Sequence, residues 1–93
     1  MQNQTVREGQ PVSFHAQAAG VPPPMMSWQK DGQMITRNDH YRIESDSGKS
    51  SLYIDKTRHD DQAWYQCTAA SIAGTASNRA RLIVQGRFVF ESL

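Results

Sequence analysis

Apolar residues recur at every second position in short runs along this chain, and no stretch repeats them at helical spacing for three turns. Val12, Phe14, Ala16 and Ala18 alternate with Ser13, His15 and Gln17, while Met26 pairs with Trp28, Tyr41 with Ile43, and Leu52 with Ile54. Ala63, Tyr65, Cys67 and Ala69 form a longer series, and Ala76, Asn78, Ala80, Leu82 and Val84 are assigned the inward face of the last one. Successive side chains of a strand point to opposite faces, so each run predicts a strand with one face on a core. Thr5 to Glu8 predicts a short first strand, and Met34-Ile35 a short edge piece. Between the runs stand turn signals: Gly9-Gln10-Pro11, Lys30-Asp31-Gly32-Gln33, Ser47-Gly48, Lys56 to Asp61, and Gly74-Thr75. The consecutive prolines of Gly20-Val21-Pro22-Pro23-Pro24 remove backbone donors, so this segment predicts a loop crossing between sheets. Seven or eight short strands separated by turns predict an all-β sandwich.

A chain of 93 residues holds one small core. The domain is placed at residues 1–85. Residues 86–93 fall outside the plan as a linker or C-terminal tail, although Phe88 and Phe90 alternate with Val89 as a strand would. The net charge of +1, with basic residues scattered from Arg7 to Arg87, gives no field for polyanions and argues against nucleic acid. The local basic cluster Lys56-Thr57-Arg58-His59 is followed at once by Asp60-Asp61, which cancels much of its potential. No apolar run approaches the ~18 residues of a membrane span. Polar residues follow Met1 directly and show no signal-peptide core, but a piece of a longer protein would show none either.

Candidate chemistry is sparse. Asn3-Gln4-Thr5 fits the glycosylation sequon, a match common by chance. Ser47-Gly48-Lys49-Ser50 resembles the end of a phosphate-binding loop, but Ile43 stands where the first glycine should be, and the segment lies between two strands. His15, His40 and His59 lie on separate elements with no metal-ligand spacing. The alternation turns Cys67 inward beside Trp28, where a thiol is inert. The expectation is a non-enzymatic domain without cofactor or metal.

Several segments carry a resemblance: Glu8-Gly9-Gln10-Pro11-Val12-Ser13-Phe14, Trp28-Gln29-Lys30-Asp31-Gly32, Ser51-Leu52-Tyr53-Ile54, Asp61-Gln62-Ala63-Trp64-Tyr65-Gln66-Cys67, and Ala80-Arg81-Leu82-Ile83-Val84. In order and spacing they resemble an I-set immunoglobulin domain of the titin-like, palladin-like and myotilin-like kind. The resemblance spans Thr5 to Val84 and implies a Greek-key sandwich of two antiparallel sheets. Trp28 is expected at the centre, against Cys67 and Ala16, with Phe14, Leu52 and Leu82 in the same core. Tyr65 fits the tyrosine corner. Asp61 is expected to anchor the same turn, and by analogy with the family its basic partner is Arg42. The main departure is Ala16, which stands where the family's other bridge cysteine would be, twelve residues before Trp28. With Cys67 the sole cysteine, no disulfide forms within the chain. That points to a reducing compartment and to the sarcomeric or actin-cytoskeletal branch.

The function this implies is a mechanical link and docking surface in a multi-domain filament protein, cytoplasmic in the sarcomere or actin cytoskeleton. Its partners would be neighbouring immunoglobulin domains and cytoskeletal proteins. One alternative is an extracellular adhesion or receptor module with the sequon used. Another is a domain that binds actin filaments through Lys30, Lys49 and Arg58. Candidate partner surfaces are the outward Trp64 and Tyr53, together with Arg79, Arg81 and Ile83 on the last strand, which or whose neighbour at Val6 forms a sheet edge.

Overall fold

A computed structural model describes residues 1–86; the aromatic alternation at Phe88 and Phe90 and the expected linker lie outside it. Among the described residues eight strands form, β1 Gln4–Arg7, β2 Val12–Gln17, β3 Met25–Lys30, β4 Gln33–Met34, β5 Tyr41–Asp46, β6 Lys49–Ile54, β7 Ala63–Ser71 and β8 Gly74–Gln85, with one 3-10 turn at His59–Asp61. They build a five-stranded sheet in the order β1-β8-β7-β3-β4 and a three-stranded sheet in the order β2-β6-β5. Pairing is antiparallel except between β1 and β8, which run parallel from Gln4 opposite Leu82 to Arg7 opposite Gln85. That pairing brings the first and last strands side by side, and no local pattern announces it.

Turn chemistry fixes the hairpins. Asp31 and Gly32 both take positive φ, +48° and +83°, which is the two-residue turn whose twist matches the strands it joins. At Gly48 φ is +76°, and an added Cβ would collide with the Ala18 carbonyl oxygen, so only glycine fits there.

Between the sheets lie Val12, Phe14, Trp28, Leu52, Ile54, Tyr65, Cys67, Ala80, Leu82 and Val84. Trp28 is 1% exposed and sits opposite Cys67 on the neighbouring strand. Its Nε1 donates across the sandwich to Ser50 Oγ at 2.8 Å, and Ser50 shares a further 2.8 Å bond with Ser45. The indole therefore packs as a hydrocarbon and also joins the two layers by a polar tip. Phe14 and Tyr65 stack with ring centroids 5.3 Å apart.

Two positions assigned inward are exposed, Ala76 and Asn78, and Ala18 is only half-buried. Ala16 is half-buried. Alternation gives the side of a sheet on which a residue lies but not where the opposite sheet stops. Here small side chains leave the space beyond Trp28 open as a groove of about 340 Å³.

Candidate functional site

The sharpest polar cluster sits at the turn before β7. Asp61 is 1% exposed, and its carboxylate accepts from the Arg58 backbone N–H at 2.7 Å, from the Tyr41 hydroxyl at 3.2 Å, and from His40 Nε2 at 2.8 Å to each oxygen. An ionised carboxylate only accepts, which places the proton on Nε2 of His40. The Tyr65 hydroxyl donates to the Asp61 carbonyl at 2.6 Å, closing the corner. Arg42, the expected basic partner, lies elsewhere. Its guanidinium spans Glu44 and Asp55 and covers the Tyr53 ring at 4.3 Å. The reason is local, because Asn38 Oδ1 accepts from the backbone N–H groups of both His40 and Tyr41 at 2.7 Å, and this turn aims His40 at the carboxylate. Sequence reasoning missed His40; the Asn38-Asp39 turn signal ahead of β5 was its only trace.

On the outer face of the five-stranded sheet, Trp64 is 39% exposed and carries Arg79 over its ring at 4.6 Å, with Arg81 at 6.0 Å. Ile83, also 39% exposed, continues the strip along β8. Among the described residues, neither arginine forms an ion pair. The outer face of the smaller sheet carries a separate group, in which Tyr53 lies between Arg42 and His15. The partner-surface residues thus fall on two faces: Trp64, Arg79, Arg81 and Ile83 together, and Tyr53 apart from them.

Lys30, Lys49 and Arg58 do not form one basic patch. Lys30 Nζ donates to the Asp60 carbonyl at 2.6 Å, close to Arg58, whereas β6 runs its whole length between Lys49 and that turn. Asn3, the sequon residue, uses its side-chain oxygen to accept from the Arg81 backbone N–H at 2.8 Å. Among the described residues, no group of three His, Cys, Asp or Glu side chains could hold a metal ion.

The immunoglobulin I-set domain model matches residues 1–84. The chain belongs to the immunoglobulin I-set family. It is 46% identical over 81 residues to titin of Drosophila melanogaster, covering 87% of this chain and a share of the relative that rounds to 0%. It is 40% identical over 83 residues to mouse myopalladin, covering 87% of this chain and 6% of the relative. Among solved structures, the titin M3 domain superposes with a TM-score of 0.83 at 34% identity, covering 90% of this chain and 88% of that one. Titin domain M7 gives 0.86 at 34% identity, covering 91% and 87%. The chain is a structural module of the titin- and palladin-like kind, and it spans only a small part of the long relatives that it matches.

The departure of this I-set domain from a bridged sandwich shows at Cys67, a free buried thiol. Ala16 and Cys67 line the same groove, so the two layers meet there without a covalent link. Burial pushes the Cys67 thiol up from 9.0 to about 11. The unfolded thiol ionises first, so the stability that the protonated thiol contributes is full below about pH 9 and declines as pH rises towards 11. Iodoacetamide at about pH 8 should therefore label Cys67 slowly in the native protein and rapidly in urea. Equal rates in the two states would show that the sulfur is not enclosed.

Proposed function

We propose that this domain is a mechanical link and docking module of a multi-domain protein in the sarcomere or actin cytoskeleton. The observation that carries this reading is the parallel register of β1 and β8. The chain enters at the Gln4 end of β1 and leaves at the Gln85 end of β8, so opposite pulls on the two ends slide these strands along each other. In that geometry the ladder bonds share the load, whereas strands peeled apart would lose them in sequence. Kinship with titin and myopalladin supports the reading, as does a core that relies on packing in place of a bridge.

Force spectroscopy on the domain held between well-characterised handles tests this function. The Glu8 N–H reaches the Gln85 carbonyl at 2.8 Å, so by alternation the Val6 N–H also faces β8. Val6→Pro deletes that donor and Val6→Ala, which keeps it, controls for the contact that the half-buried side chain makes with the core; the unfolding force should drop well below that of the native domain in the proline variant and much less in the alanine one. Equal forces for the proline variant and the native domain would remove the mechanical role. The actin-filament alternative draws less support, because its three basic residues are not on one surface.

A further inference from the structure

We propose that the outer face of the five-stranded sheet binds an extended acidic segment of a partner protein, whose carboxylates at alternate positions meet Arg79 and Arg81 beside Trp64. Basic residues are scattered along the chain, but the fold sorts the charges by layer. Strands β1, β3, β4, β7 and β8 contain Arg7, Lys30, Arg79 and Arg81 and no aspartate or glutamate. Among the described residues, every carboxylate side chain therefore lies in a connecting segment or in the three-stranded sheet, where Glu44 and Asp46 offset Arg42 and Lys49. Lys30 turns away to the Asp60 carbonyl, and register keeps Arg7 on the side of Arg79 and Arg81, two positions beyond the Thr5 that faces Ile83. Asp31 stands at the rim of this face, where its Oδ1 accepts from the Trp64 backbone N–H at 2.9 Å.

The two guanidinium groups are already held in place. Register sets Trp64 opposite Arg81 and Gln66 opposite Arg79, so both arginines lean on the one indole, at 4.6 Å for Arg79 and 6.0 Å for Arg81. Stacking uses the flat face of a guanidinium and leaves free the N–H edge that a carboxylate grips with two bonds. Among the described residues neither arginine has a carboxylate partner. The polar side chains beside them satisfy one another, because Thr68 Oγ1 donates to Gln29 Oε1 at 3.1 Å and accepts from Gln66 Nε2 at 3.2 Å. Arg79 and Arg81 stand two residues apart on one strand, roughly 7 Å, and an extended segment laid on the face repeats its side chains at the same interval. Carboxylates two positions apart thus reach both arginines, and the next alternate side chain, an apolar one, falls on the exposed Ile83. Two copies of this chain placed face to face would bring like charges together, which leaves an acidic partner as the complementary occupant.

This inference rests on the docking half of the proposed function and is tested apart from the mechanical half. The probe is a capped peptide of about seven residues, with a pair of glutamates two positions apart at its centre, isoleucine at each end and serine between, titrated into the isotope-labelled 93-residue protein. Shifts are expected at the Trp64 indole N–H and at Nε of Arg79 and Arg81, and affinity should fall as salt is raised. Amide exchange at Thr75 and Ser77 should not change, because the segment lies on the face. Arg79→Ala and Arg81→Ala should each weaken binding about fivefold with the melting temperature unchanged. Arg79→Lys, which keeps the charge and loses the fork, should weaken it about twofold. If alanine disturbs the packing over Trp64, the protein carrying both Arg79→Glu and Arg81→Glu decides the matter: it should release the glutamate peptide and take up a lysine version. The proposal is overturned by a lysine or glutamine peptide that binds the native protein equally well, by arginine variants that bind undiminished, by slowed exchange along Thr75 to Arg79, or by no binding at millimolar peptide. A thymidine oligonucleotide of about ten bases that binds more tightly than the peptide would assign the face to nucleic acid and overturn it too. A protein that fails these tests can still bear load or dock partners of other chemistry, so the proposed function stands or falls separately.

Discussion

Replacing Trp28 by alanine is expected to cost about 3–5 kcal/mol, a large fraction of the stability of a domain this small. The side chain is 1% exposed, and its removal opens a void beside the groove that already lies between the sheets. Neighbours cannot close that void cheaply, because Cys67 and Ala16 are short and no bridge holds the layers in register. A second variant separates packing from polarity. Trp28→Phe keeps much of the volume but loses the bond from Nε1 to Ser50, so its cost should be about 1–2 kcal/mol. Urea titrations of the three proteins give both figures. A Trp28→Ala protein within about 1 kcal/mol of the native one would show that the two layers adhere by other means.

Asp61→Ala is the second large effect, expected at about 2–4 kcal/mol. Its carboxylate gathers donors from three elements, and deleting it strands the Arg58 N–H and the Tyr41 hydroxyl without an acceptor. His40→Ala should cost less, about 1–2 kcal/mol, because the ring is nearer the surface. Arg42→Ala should cost under about 0.5 kcal/mol, since its ion pairs are exposed and long. A double-mutant cycle should find coupling between His40 and Asp61 and none between Arg42 and Asp61. The reverse result would restore Arg42 as the anchor and displace the assignment drawn from the geometry.

The contrast between His40 and Arg42 shows where local reading stopped. Both residues lie just before or within β5, two positions apart, and strand alternation puts them on the same side. Which one reaches Asp61 depends on how the Asn38 turn tilts the chain as it enters the strand. Analogy with the family calls for a basic residue on the strand itself, and within β5 that residue is Arg42. The fold instead supplied a shorter side chain with a better approach. The outer faces behaved similarly. Trp64, Arg79 and Arg81 could each be read as outward from period two, but their stacking follows from the register that sets Trp64 opposite Arg81 and Gln66 opposite Arg79.

Sequence alone settled what depends on near neighbours along the chain. Alternation set the inward faces of β2, β3, β6 and β7, positive-φ residues set the Asp31-Gly32 and Gly48 turns, and a lone cysteine excluded an internal bridge. Tertiary structure decided what depends on residues far apart: the parallel meeting of β1 with β8, the opposite sheet's stopping short of Ala76 and Asn78, and the histidine at Asp61. The physical reason is that side-chain direction repeats within a strand, whereas partnership between strands is chosen by the packing of the whole chain.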